Sequence, residues 1–367
     1  MTPLRVGFVV QGEGRGHMTQ ALALARILRE AGHEVARVWI GTSPYRSVPS
    51  YFEDGIAAPV EPFAAPVQVP DRRGLAASPA ATLRDAVRRA PAFARAARRL
   101  HQGTADLDLV VNFLDLVAAM SRILFQTSVP AVAVAHNYVF LEPDLHPLPG
   151  SSPVQRAVLG WTRATAARTR SRLALSFGPR PGVPSERLEF MPPLLRSGLD
   201  AVERRDDGFL LAYALNSGYG DLLARWQRTR PDVPVRCYVD GGRDALRTEP
   251  GPGLEVRDLD QERFLTDLGR CHAFVGSAGF EAICEAFHLG KPVLAVPTAG
   301  QYEQRLNAWD AVRHGAARAG GYGDLDAFWD RSPYPSKDAV RAFRSWVAEA
   351  PSRHLEAVER AASARPW

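Results

Sequence analysis

Residues 276–308 read GSAGFEAICEAFHLGKPVLAVPTAGQYEQRLNA, and this stretch decides the fold. An apolar run, AFVGS at 273–277, has the length of a buried strand and ends in small residues, Gly276 to Gly279. From Phe280 the apolar spacing turns helical, and Gly290-Lys291-Pro292 stops the helix. A second apolar run, PVLAVP at 292–297, follows. Strand, small-residue turn, helix and strand make the repeating unit of a doubly wound parallel sheet. The same turn carries chemistry. Ser277, Ala278 and Gly279 let backbone amides approach a ligand, and the positive end of the helix opening at Phe280 and Glu281 favours a diphosphate. Glu285, at the sixth position of that helix, is suited to accept hydrogen bonds from two ribose hydroxyls. Gln301, Glu303 and Gln304 follow the second strand back to the same edge, where Glu303 and Gln304 suit the hydroxyls of a hexose. Lys291 reads as an exposed helix C-cap, and Cys284 and His288 as packing or surface residues.

Outward from this stretch the pattern repeats. Strand-like runs at 209–215, 233–241 and 254–259 precede it, with a helix near 219–229. Asn216, Ser217 and Gly218 end the first of these runs, at the edge where α/β sheets place ligands. They read equally as phosphate contacts or as a polar turn. Residues 179–208, rich in proline and charge, read as a linker. Upstream, runs at 4–10, 33–41, 106–113 and 129–137 form a second set of strands, which 173–178 is expected to close. The expectation is an α/β chain of two Rossmann-like doubly wound domains, 1–195 and 196–335, facing across a cleft. An amphipathic helical segment, 336–367, is expected to pack back on the first domain.

Bulk properties narrow the function. The chain has 367 residues, enough for two domains, and 46% are hydrophobic, enough for buried parallel strands. No apolar run approaches the roughly 20 residues of a membrane span. The N-terminus leads straight into a strand without the features of a signal peptide. Cys237, Cys271 and Cys284 are unclustered and fit neither a disulfide framework nor a zinc site. A cytoplasmic location fits. Net charge is +5, and all but two of the 45 basic residues are arginine, the exceptions being Lys291 and Lys337. That balance permits anionic partners, but no nucleic-acid-binding motif appears and no nucleic-acid partner is expected.

The first strand runs into Gln11-Gly12-Glu13-Gly14-Arg15-Gly16-His17. This is not a dinucleotide fingerprint, because the last position is His17 rather than glycine. Together with 276–308, the loop resembles the GT-B glycosyltransferases that use UDP-sugars. Those include the peptidoglycan lipid-intermediate N-acetylglucosaminyltransferase and the UDP-glucuronosyl/glucosyltransferases. The matching residues are Gly276 to Gly279, Glu285, Gly290 and Pro292, Glu303 and Gln304, and Asn307-Ala308. The likeness is greatest to a bacterial and archaeal subgroup reading GEGxGH near the start and EAxxLGKPVL and EQxxNA near the end.

The resemblance implies an inverting transfer of a hexose from a nucleoside diphosphate sugar, with UDP the implied carrier, to a hydroxyl acceptor. It implies no cofactor, the nucleotide sugar being a substrate. His17 would be the general base, for which an imidazole suits; contact with phosphate or a structural place at the helix start are the other readings. Asp115, after LVVNF, would orient His17, or else cap the following helix. Gly14, Arg15 and Gly16 would form an acceptor and phosphate loop. His136 and Asn137, ending a strand, would line the acceptor pocket. RDLDQERF at 257–264 resembles the segment that flanks the nucleobase. Three Asp-x-Asp triplets, at 106–108, 258–260 and 324–326, read as solvated turn acids, and no metal is expected.

Residues 62–102 and 143–172 are rich in arginine, among them Arg72, Arg73, Arg84, Arg88 and Arg89 in the first and Arg156 and Arg163 in the second. They read as solvated faces, or as basic helices in peripheral contact with the inner face of a membrane. Two other functions stay open: a UDP-sugar epimerase of the same fold, and a non-catalytic sugar-nucleotide binder.

Overall fold

The computed structural model of the chain describes residues 2–42, 48–67, 69, 78–143, 145, 152–214, 217–331 and 333–363. They fall into two compact units. The first takes in residues up to 69, 79–196 and the chain from 346 onward; the second is built mainly of 197–345.

In the first unit, β1 (Arg5–Val10), α1 (Arg15–Glu30), β2 (Glu34–Thr42), α2 (Ser50–Ile56), β3 (Val60–Ala64), α3 (Pro79–Gly103), β4 (Leu109–Phe113), α4 (Leu116–Leu124), β5 (Ala131–Ala135), α5 (Ser152–Thr165), β6 (Ser171–Leu175) and β7 (Leu188–Met191) follow one another. The strands are all parallel, in the order β3-β2-β1-β4-β5-β6-β7. The central strands are apolar on both faces, as helices on both sides of a parallel sheet require. All of β5, AVAVA, is buried, as is all of β4. α1 shows why the sequence folds this way. Ala21, Leu24, Ala25 and Leu28 repeat at helical spacing and are fully buried. Each leucine contributes about 2 kcal/mol by burial, so Leu24→Asp would break the seat of the helix.

The sheet does not close at 173–178. β7 lies within the stretch read as a linker and forms the edge, pairing Leu175 with Met191. Four residues between prolines carry too little periodicity to be read as a strand.

In the second unit, β8 (Leu210–Ala214), α6 (Ser217–Thr229), β9 (Val235–Val239), β10 (Leu254–Arg257), α7 (Gln261–Arg270), β11 (Ala273–Ser277), α8 (Phe280–Leu289), β12 (Val293–Val296), α9 (Tyr302–Arg313), β13 (Arg318–Ala319) and α10 (Leu325–Arg331) lead to α11 (Lys337–Ala348). Its parallel sheet has the order β10-β9-β8-β11-β12-β13. α12 (Ala350–Ser363) packs on α1 and on the strands of the first unit. There the His354 Nε2 donates to the Pro192 carbonyl at 3.0 Å, and the Trp346 indole N–H donates to the Ser176 carbonyl at 3.0 Å.

Candidate functional site

A doubly wound sheet binds ligands beyond the carboxyl ends of its strands, where the strand order reverses. In the first unit the reversal lies between β1 and β4, and in the second between β8 and β11. Most of the candidate residues flank these two points.

In the first unit, Gln11 to Gly14 leave β1 and α1 begins at Arg15. The Gln11 N–H donates to the Phe113 carbonyl at 3.1 Å, which ties this loop to the end of β4. Gly12 is required by packing, because a β-carbon there would lie 2.0 Å from the Gly41 carbonyl oxygen. Gly14, the N-cap of α1, is different. Its φ of −111° is ordinary, no side chain caps the helix, and nothing stands within 4 Å of the place a β-carbon would take. Arg15, Gly16 and His17 form the first turn of α1 and are half-buried. His17 Nδ1 lies 3.3 Å from Gln20 Oε1. Burial lowers the His17 pKa to about 4, against the opposing pull of Gln20.

Asp115 follows β4 through Leu114, whose φ of 59° places it in the left-handed region. Asn112 holds this turn. Its Oδ1 accepts from the Asp115 N–H at 2.8 Å, and its Nδ2 donates to the Asp115 carbonyl at 3.0 Å and to the Thr165 carbonyl at 2.7 Å. Asp115 Oδ1 caps α4, accepting from the Ala118 N–H at 2.8 Å. Oδ2 is buried and has no partner among the described residues. It sits 3.1 Å from where a β-carbon on Gly41 would be, so it faces the end of β2, against which the Gly12 loop also packs. Burial raises the Asp115 pKa to about 7, opposed by the N–H groups of Ala118 and Val117. No hydrogen bond joins His17 to Asp115 among the described residues. Asn112, Leu114 and Gln20, which set these two side chains, escaped sequence reasoning; an asparagine three residues before an aspartate at a strand end was the available signal.

His136 and Asn137 open a 3-10 turn, His136–Leu141, and both are buried. The His136 Nδ1–H donates to the Leu175 carbonyl at 2.7 Å, and its ring packs edge-on against Phe140 and Phe177. In this unit they belong to the packed core and offer little surface to an acceptor.

In the second unit, Asn216 lies outside the described residues; Ser217 and Gly218 begin α6. Across the reversal, Ser277 ends β11 and Gly279 caps α8. Gly279 repeats the case of Gly14. Its φ is −82°, no side chain caps the helix, and the nearest atom to a β-carbon there is 4.0 Å away. Glycine is an accepted N-cap, though serine or aspartate would cap better, and neither the backbone angle nor a neighbouring atom demands it at either place. Ala278 is fully buried, and Phe280 and Glu281 are nearly so. Glu285 has no exposed surface. α8 ends at Gly290, whose φ is 77° and whose N–H reaches the Ala286 and Phe287 carbonyls.

The loop after β12 is bolted in place. Gln304 Oε1 accepts from the Thr298 N–H at 2.8 Å, the Ala299 N–H donates to the Tyr219 hydroxyl at 3.1 Å, and Asn307 Nδ2 donates to the Ala278 carbonyl at 2.9 Å. Gln301 is the N-cap of α9, and Glu303, half-buried, lies in its first turn. Gln304 thus has a structural task that its sequence context did not disclose.

Lys291 is buried rather than an exposed cap. Its ammonium donates to the Arg205 and Cys271 carbonyls, each at 2.8 Å, and burial lowers its pKa. Arg257 is held by Asp267, Tyr238 and Glu255. The Asp-x-Asp acids are engaged locally. Asp106 pairs with Arg5 and Arg37, and Asp108 accepts from the Arg5 N–H. Asp258 and Asp260 accept backbone N–H groups, as does Asp324, and Asp326 pairs with Arg230.

The sequence profile of the family described as Glycosyl transferase family 1 matches residues 4–327. No curated protein matches the sequence. Among solved structures, the chain resembles UGT89C1 of Arabidopsis thaliana complexed with UDP-L-rhamnose, with a TM-score of 0.63, 13% identity and coverage of 98% of this chain and 99% of that one. The glycosyltransferase SnogD from Streptomyces nogalater gives 0.59, 18%, and 98% and 100%. MurG of Acinetobacter baumannii gives 0.57, 16%, and 98% and 100%. At these identities the likeness is one of fold, the two parallel-sheet α/β units of GT-B proteins.

Proposed function

The chain belongs to glycosyl transferase family 1 and is a glycosyltransferase, and from that premise we propose that it moves a hexose from UDP to an acceptor hydroxyl with inversion and without a metal. The observation that carries this reading is Gly279. It opens a ten-residue helix whose first amides have no side-chain cap, and the nearest atom to a β-carbon there would be 4.0 Å away. A diphosphate suits such a place by charge.

In this account the α8 amides bind the diphosphate, with Ser217 and Gly218 across the strand reversal. Asn216, which precedes them in the sequence, is assigned there too. Glu285 accepts from the ribose. Because its carboxylate is fully enclosed, this contact requires neighbouring side chains to turn aside. Glu303 and Gln301 take the sugar hydroxyls, with Gln304 holding their loop. Gly14, Arg15 and Gly16 are assigned to phosphate and acceptor contacts.

The acceptor oxygen attacks the anomeric carbon as the bond from that carbon to the diphosphate breaks. The electron pair leaves with the diphosphate, where backbone amides stabilise it. The acceptor proton passes to His17, which burial keeps neutral at pH 7 while making it a weaker base than a free imidazole. Asp115, once ionised, steadies the imidazolium that forms. What supports metal independence is the Asp-x-Asp chemistry: those carboxylates are engaged with backbone N–H groups and arginines.

The test is incubation with UDP-hexoses, with and without a panel of hydroxyl acceptors. Transfer products with the opposite anomeric configuration support the reading. Conversion of the donor alone to an epimer, or donor binding with no turnover on any acceptor while His17→Ala leaves the cellular phenotype intact, would replace it. Among the described residues no helix is long and apolar enough to cross a membrane; a cytoplasmic site of action is part of this proposal.

A further inference from the structure

Two helices of the first unit present aliphatic side chains to solvent beside arginines. α3 and α5 lie on the same side of the sheet, each packed on α4. On the first turns of α3, Leu83 is 67% and Val87 is 68% exposed. They are four residues apart and so share one face. Arg84 and Arg88 beside them are also exposed. On the first turn of α5, Val154 is 53% exposed and is followed by exposed Arg156.

Within the two helices acids are scarce: α5 contains none, and the one in α3, Asp85, is largely buried, held by Arg89 at 3.2 Å and 3.9 Å from the exposed Arg88. Solvated arginine faces need no exposed leucine or valine, and a nucleic acid would use the cations without the aliphatics. Cations flanking aliphatics on a helix face match an anionic lipid surface on both counts.

Position links this surface to the site. The Arg89 Nη2 donates to the carbonyl of Thr42, the last residue of β2, at 3.4 Å. The first turns of α3 therefore stand at the carboxyl edge of the sheet, beside Gly41, which the Gly12 loop and Asp115 also face. Arg72 and Arg73, on the approach to α3, lie outside the described residues.

We infer that the first turns of α3 and α5 seat the enzyme on an anionic bilayer, so that its acceptor hydroxyl is presented by a membrane-embedded molecule. This names the acceptor's setting and rests on the transferase reading given above. The experiment is sedimentation of the full chain with vesicles of phosphatidylcholine alone or mixed with phosphatidylglycerol. The chain should bind the mixed vesicles and not the neutral ones, and lose binding as salt rises. Arg84→Ala with Arg88→Ala should weaken binding about twentyfold, and Leu83→Ser with Val87→Ser about tenfold. UDP affinity of all variants, measured without vesicles, should match the parent, which shows them folded. Absence of binding to mixed vesicles at low salt, undiminished binding by both double variants, or binding to duplex DNA in preference to vesicles would overturn the inference. A chain that binds vesicles but not UDP would leave this surface in place and remove the UDP-sugar donor from the proposed function instead.

Discussion

The Asn307 side chain donates to the carbonyl of Ala278 at 2.9 Å, and both residues are buried. One hydrogen bond thus pins α9 to the turn that opens α8. Asn307→Ala should leave that carbonyl unpaired, at a cost of about 1–3 kcal/mol, and loosen the turn. Urea unfolding and UDP titration should both show the loss. An unchanged UDP affinity in a destabilised variant would separate the turn from the nucleotide.

His17→Ala should lower kcat by about 10²–10⁴-fold, the usual contribution of a general base, with donor affinity within a factor of two or so. A fall in donor affinity with little change in kcat would make His17 a phosphate contact.

Asp115 predicts a pH dependence of stability with a definite sign. Its folded pKa, about 7, is above the ordinary 3.8. The folded state therefore holds the proton more tightly, and stability from this group is complete below about pH 3.8 and lost as pH rises towards 7. Asp115→Asn, which keeps a capping oxygen, should raise stability at pH 7.5 by about 2 kcal/mol while depressing turnover. His17 acts oppositely: with a folded pKa of about 4 against 6.5, its share is present above 6.5 and lost as pH falls towards 4. Melting temperatures of the parent and the single variants across pH 4–8 check both signs. In turnover, kcat/KM should fall below about pH 7 as Asp115 takes its proton, and Asp115→Asn should erase that limb.

Lys291→Met should orphan two carbonyls, those of Arg205 and Cys271, and cost about 2 kcal/mol or more. Denaturant unfolding reads this directly. A neutral outcome would mean that the buried ammonium's desolvation cancels its two bonds.

Addition of a chelator should leave the transfer rate unchanged. A loss restored by manganese would overturn the metal-free account.

Much of this was legible in the residues. The β11–α8–β12 unit could be read because small residues, helical spacing and a Gly-x-Pro stop agree at every position. β7 could not, because four residues between prolines have no period to detect. Lys291 was misread because its partners, the Arg205 and Cys271 carbonyls, are distant in sequence and belong to the backbone. Gln304 and Asn307 were visible as a pattern, yet their hydrogen bonds to Thr298 and Ala278 are facts of tertiary structure. The difference between Gly12, which packing demands, and Gly14 and Gly279, which it does not, appears only when neighbours are placed around them.

That difference also supplies the most direct test. Gly279 has an extended φ and room for a β-carbon, so Gly279→Val should fold, at a cost of about 1 kcal/mol for the poorer N-cap. Calorimetric titration with UDP should then show affinity weakened a hundredfold or more, because the methyl groups fill the approach to the α8 amides. A Gly279→Val protein that binds UDP as tightly as the parent would contradict the assignment of the diphosphate to this helix.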